Sequence, residues 1–190
     1  MRIHNTCFIL LVIFTLAGSA LLTNCEEVPL KSPVTPLITD TSSTDLNYAA
    51  DFTLKSIDGK VVKLEDYKNK IVLLLFWETG SSQCRRILPD IVKLHAKYKE
   101  KDFEIIGIIT ERPESGVLNT VKKMKEVYGI GFPLVWYDNK VINDYGPIEK
   151  LPRSFFINFE KKIAKDIEGA GQYSDYETAL LEILNAQIIK

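Results

Sequence analysis

The sequence predicts an α/β domain, a central mixed sheet flanked by helices and preceded by a short β-hairpin. Three observations carry this. Ile71–Trp77 and Phe103–Ile109 are unbroken or nearly unbroken apolar runs of strand length, the pattern of strands covered on both faces. Each is followed by apolar residues at helical spacing: Ile87, Ile91, Leu94 and Tyr98 after the first, Val117, Val121, Met124 and Tyr128 after the second. Near the C-terminus the pattern changes to two strand-like segments, 154–159 and Ile163–Glu168, separated only by Glu160-Lys161-Lys162.

The elements follow in order. Structure begins near Tyr48. Asp51-Phe52-Thr53-Leu54 and Lys60-Val61-Val62-Lys63-Leu64 alternate in polarity around Asp58-Gly59, which is the signature of a hairpin. Glu65-Asp66-Tyr67-Lys68 reads as one helical turn. After the first buried strand a helix is expected over 82–100, and after the second a helix over 117–128 that Gly129 stops. Residues 133–137 read as a short strand and 176–189 as a closing helix. Strands separated by helices pair in parallel through crossovers, and the later tight turn adds an antiparallel pair.

Length and charge narrow the function. A chain of 190 residues holds one domain with a full core once its N-terminus is set aside. With 24 basic and 25 acidic residues it has no net field to attract nucleic acid, and none is expected as a partner. Arg2 precedes the apolar stretch from Phe8 to Leu16, and small residues follow, as in a secretory signal over 1–24. Leu22-Thr23-Asn24-Cys25 resembles a bacterial lipobox, which implies a lipid on Cys25 and a protein exported and anchored to a membrane, facing the periplasm or the cell exterior. The plainer alternative is a secretory signal cut after Ala20. Residues 25–47 carry Pro29, Pro33, Pro36 and a Thr-Ser run without an apolar period, so they read as a flexible tether, and 48–190 as the domain.

Several short motifs fall in one order. Asp51-Phe52-Thr53-Leu54 opens the domain, Leu75-Phe76-Trp77-Glu78-Thr79 closes the first buried strand, and Cys84-Arg85 and Pro89 start the helix after it. Tyr145-Gly146 and Leu151-Pro152-Arg153-Ser154-Phe155-Phe156 come later. In this order the domain resembles the TlpA-like and AhpC/TSA redoxins of the thioredoxin superfamily. The resemblance implies a thioredoxin-like fold, thiol-disulfide oxidoreductase chemistry at the strand–helix junction, and a cis peptide bond at Leu151-Pro152 beside it. It further implies that clients or redox-partner protein thiols meet a surface of Trp77, Gly80, Leu151 and Pro152.

The departure from that pattern concerns the chemistry. Where the family has Trp-Cys-x-x-Cys, this chain has Gly80-Ser81-Ser82-Gln83-Cys84. Ser81 stands at the attacking cysteine's place. Its hydroxyl is not a redox group, and at the start of a helix it is suited to cap a backbone N–H. With Cys7 in the signal and Cys25 lipidated, Cys84 is the sole thiol left for catalysis, and exchange within a dithiol is closed. Three readings stay open: one-cysteine exchange with partner thiols, a non-catalytic peptide-binding module, and a thiol peroxidase using Cys84. The last would need a cation beside the thiol. Arg85, Arg86 and Arg153 are the candidates.

No cofactor or metal is expected. His95 is the only histidine beyond the signal, and one His with one Cys makes no usual zinc or copper set. His95, one residue past Leu94, is expected on the surface. Glu111, Arg112 and Glu114 follow the second buried strand at its C-terminal end, where α/β sites form; they either flank the motif or, the plainer reading, form a solvated loop.

Overall fold

Strands β1 (Thr53–Lys55) and β2 (Val61–Lys63) form the expected hairpin, with Thr53 opposite Lys63 and Gly59 in the left-handed turn between them. The computed structural model describes residues 48–188. The signal, the lipidation site and the tether assigned to 1–47 lie outside the described residues. After a single 3-10 turn, Leu64–Tyr67, the chain enters β3 (Ile71–Trp77), then α1 (Ser82–Tyr98), β4 (Phe103–Ile109) and α2 (Ser115–Tyr128). There follow β5 (Leu134–Trp136), α3 (Asn139–Asp144), β6 (Arg153–Ile157), β7 (Ile163–Glu168) and α4 (Tyr173–Ile188).

The main sheet has the order β5-β4-β3-β6-β7. β3, β4 and β5 are parallel, and β6 and β7 run against them, as the change of sequence pattern requires. All seven residues of β3 are buried, because it is the central strand and both of its faces are covered. Alternation sorts them. Leu73, Leu75 and Trp77 face one core with Ile87 and Ile91 of α1, Val121 of α2 and Tyr176 and Leu180 of α4. Val72, Leu74 and Phe76 face a second core with Phe52 and Leu54 near the hairpin, and Val141 and Tyr145 at α3. Each such side chain contributes about 1.5–3 kcal/mol through removal from water, so β3 alone anchors both layers.

The helix ends obey local chemistry. Gly129 has φ +66°, and the amides of Gly129 and Ile130 close onto the carbonyls of Glu126 and Lys125, which ends α2 where the sequence places its stop. Pro89 lies inside α1 and brings no N–H, so the Arg85 carbonyl lacks its usual helical donor.

Helix α3 is an addition to the predicted elements. It has six residues, too few for an apolar period, and it is set by Asp138, whose carboxylate accepts from the Val141 amide at 2.7 Å. A second difference concerns His95. Expected at the surface, it is buried on α1 four residues after Ile91, on the same helical face. Its Nε2 lies 2.7 Å from the Glu104 carboxylate and its ring meets Phe132 edge-on, so this buried polar ring is satisfied internally.

Candidate functional site

The junction between β3 and α1 holds the motif. Ser81 has extended backbone angles and is the N-cap of α1: its Oγ accepts from the Cys84 amide at 3.3 Å. The Ser81 carbonyl accepts from the Arg85 amide at 3.1 Å, the first turn of the helix. The hydroxyl therefore takes the capping role that its place before the apolar period suggests.

Cys84 is fully buried and its side chain belongs to the core shared by α1, β3 and α4. Burial pushes the thiol above its ordinary range; hydrogen bonding with Ser81 and Glu78 pulls only partly the other way, and the charges of Glu78 and Glu111 add to the upward push. The cations a thiolate would need are occupied elsewhere. Arg85 Nη1 donates to the Thr79 carbonyl at 2.6 Å, and Arg86 Nη2 to the Ala170 carbonyl at 2.8 Å. Arg153 sits on the opposite face of the sheet from Cys84. Its guanidinium stacks over Phe155 of the second core and pairs with Asp166 and Glu168 of β7.

The bond between Leu151 and Pro152 is cis. Arg153 pairs with Phe76 in the register of β6 on β3, which brings Leu151-Pro152 to the end of the sheet where the Glu78–Ser81 turn begins. Pro152 is buried and its carbonyl accepts from the Gly169 amide at 2.8 Å. Leu151 is half-buried and packs against both cores, while its own N–H and C=O make no backbone hydrogen bond among the described residues. Gly80 faces open space: a side-chain carbon built there would meet nothing within 4 Å. Gly80, Ser81, Leu151 and Pro152 thus gather at one end of the sheet.

Trp77 does not join them. Expected at the client surface, it has no exposed area, because as the last residue of the buried strand it points into the α1 core. Its indole nitrogen has no hydrogen-bond partner among the described residues, and it lies 3.2 Å from where a Cβ on Gly107 would stand. Glu111 corrects a second expectation. It is no free loop residue: its carboxylate accepts from the Thr79 amide at 2.6 Å and from Thr79 Oγ1 at 2.9 Å. It therefore straps the motif turn to the end of β4. Only its position at the C-terminal end of a parallel strand, where α/β sites form, hinted at this.

With this geometry in place, the likenesses to known proteins become informative. Residues 47–166 match the model of the AhpC/TSA family. The chain is 34% identical over 136 residues to the thiol-disulfide oxidoreductase ResA of Bacillus thuringiensis subsp. konkukian, covering 71% of this chain and 76% of the relative. ResA of Geobacillus thermodenitrificans is also 34% identical over 136 residues, covering 71% and 75%. Among solved structures, a thiol:disulfide interchange protein of the thioredoxin family from Chlorobium tepidum superposes with a TM-score of 0.66 at 24% identity, over 73% of this chain and 96% of that one. A thiol:disulfide interchange protein from Bacteroides sp. gives 0.58 at 29% identity, over 70% and 87%. The family match over 47–166 and the identity to ResA, with the fold shared with the solved structures, make this chain a member of the AhpC/TSA family, in the thioredoxin-fold group of ResA-like thiol-disulfide oxidoreductases.

Proposed function

We propose that this protein is a membrane-anchored redoxin that holds extended client polypeptides over Ser81 and Leu151-Pro152 without dithiol exchange in its own motif. The observation that carries the reading is a contrast at one site. The only described thiol, Cys84, is fully buried and pushed toward its protonated form, whereas the Leu151 backbone beside the motif has no hydrogen-bond partner among the described residues. A protonated, covered thiol is a poor nucleophile. An unpaired N–H and C=O at a sheet end can accept a peptide as an added strand.

The anchoring part of the proposal rests on the lipobox-like Leu22-Thr23-Asn24-Cys25. Among the described residues no helix is long and apolar enough to cross a membrane. The peroxidase alternative loses its support, since Arg85, Arg86 and Arg153 are all held by other groups.

The test uses the chain carrying Cys7→Ser and Cys25→Ser. Neither catalysed reduction of insulin disulfides by dithiothreitol nor consumption of hydrogen peroxide is expected. With Ser81→Cys and Cys84→Ser added, a ten-residue peptide bearing one central cysteine should displace glutathione from the mixed disulfide at position 81. Catalysed reduction by the chain with Ser81 intact, or no preference for peptide over glutathione, would reject the reading.

A further inference from the structure

The end of β7 and the bend after it touch the Leu151-Pro152 loop at two consecutive residues, Glu168 and Gly169, and reach α1 at a third, Ala170. Glu168, the last residue of β7, offers one carboxylate oxygen to Lys150 Nζ at 2.9 Å and the other to Arg153 Nη1. These two cations stand immediately before and immediately after Leu151-Pro152. The next residue, Gly169, donates its amide to the Pro152 carbonyl at 2.8 Å, from a backbone with φ +77° that side-chain-bearing residues rarely adopt. Ala170 then offers its carbonyl to Arg86 of α1 at 2.8 Å. One short bend thus fastens the loop on both flanks and ties it to the helix that carries Cys84.

We infer that Glu168 is a positioning residue for client binding: its carboxylate, spanning Lys150 and Arg153, fixes the Leu151 backbone in the orientation that receives the client strand. The inference rests on the client-binding reading above. Lys150 first, then Arg153, holds the Glu168 carboxyl below its usual range, so the clasp is charged at neutral pH. Glu168 and Lys150 are exposed, and exposed ion pairs add little to global stability. The effect of the clasp is therefore local, and binding and stability should separate.

The experiment compares Glu168→Gln with Asp166→Asn. Both remove one carboxylate from β7 that pairs with Arg153, but only Glu168 also reaches Lys150. Two readouts are taken. In the chain with Cys7→Ser and Cys25→Ser, amide hydrogen exchange is followed at Gly169. In the Ser81→Cys, Cys84→Ser background, the preference of the ten-residue cysteine peptide over glutathione is measured. Glu168→Gln should speed exchange at Gly169 and lower the peptide preference by about fivefold, the scale of one lost ion-pair contact. Asp166→Asn should change both by less than about twofold on the same scale. Equal effects of the two substitutions, or none from Glu168→Gln while the parent prefers the peptide, would overturn the clasp and leave the binding reading standing. A parent with no preference for the peptide would remove both.

Discussion

The Ser81 hydroxyl accepts from the Cys84 amide at 3.3 Å, so the two residues are joined as cap and capped amide. The contact has two consequences. It places a side-chain oxygen at the helix N-terminus, where the macrodipole favours negative charge. It also leaves the Cys84 sulfur behind that oxygen, inside the core. At this junction the half-buried position thus carries an oxygen, and the only described thiol lies beneath it.

Ser81→Cys should therefore introduce exchange chemistry. The new thiol would occupy the capping position, and a cysteine at a helix N-terminus ionises below the free value of about 8.5. The chain with Cys7→Ser and Cys25→Ser should gain catalysed insulin reduction when Ser81→Cys is added. No gain would mean that the turn itself, and not the missing sulfur, blocks the chemistry. Ser81→Ala makes the complementary test. Loss of the cap should cost about 1 kcal/mol, read as a lower urea midpoint with an unchanged slope.

Cys84 should be inert until the protein unfolds. In the chain with Cys7→Ser and Cys25→Ser, iodoacetamide should label it at the rate of global opening, and mild urea should accelerate the reaction in step with unfolding. The pH dependence has a definite sign. The folded thiol is raised, with burial the largest cause, so at alkaline pH the native state keeps a proton that the unfolded state loses. Stability is full below the unfolded thiol value and declines as pH rises from there toward the folded value. Cys84→Ala should abolish that part of the alkaline decline. Labelling of the native protein at neutral pH without unfolding would contradict the buried assignment.

Much of this was legible in the residues themselves. The run Ile71–Trp77 could hardly be anything but a central strand, and Ser81 and Gly129 announced a helix start and a helix stop through their own backbone chemistry. The same logic, applied strictly, would have buried Trp77, which ends that run, and His95, which sits at i+4 from Ile91. The family resemblance instead puts Trp77 at the client surface, and counting one residue on from Leu94 puts His95 outside, although the step of four from Ile91 is the one that decides its face. Other features have no local signal. Glu111 and Thr79 are 32 positions apart, and Glu168 comes beside Lys150 and Arg153 only when β7 pairs with β6. Helix α3 is too short to show a period, and depends on one capping aspartate and on Tyr145 Oη donating to the Ala50 carbonyl at 2.9 Å.

Glu111→Ala should loosen the motif turn. Its carboxylate takes both the amide and the hydroxyl of Thr79, and the Thr79 carbonyl is held in turn by Arg85. Without Glu111 the Thr79 amide loses a charge-assisted bond in a partly buried place, which costs on the order of 1–3 kcal/mol. Amide exchange at Thr79 should rise by more than the global stability change accounts for. Glu111→Gln keeps one acceptor for the amide and should recover part of the protection. Unchanged exchange at Thr79 in Glu111→Ala would show that the turn is held by Arg85 and the Ser81 cap alone.

The His95–Glu104 pair gives an acid-side prediction at the far end of α1. Burial pushes the Glu104 carboxyl upward, but hydrogen bonds from His95 and from the Ile105 amide, with the nearby charge of Lys70, outweigh it and hold the group below its usual value. A lowered folded value means that the stabilisation is present above the unfolded carboxyl value of about 4.3 and is lost as pH falls through the folded one. His95→Ala removes the principal partner and leaves the carboxylate with Ile105 and a lysine at 3.7 Å. Stability at neutral pH should drop by about 1–3 kcal/mol, the cost of a buried charged group losing its hydrogen bond. The acid unfolding midpoint should move to higher pH, because Glu104 now protonates more readily in the native state. His95→Gln can still donate to Glu104 and should restore much of the neutral-pH stability. An acid midpoint unmoved by His95→Ala would show that Lys70 and the backbone suffice to keep Glu104 ionised.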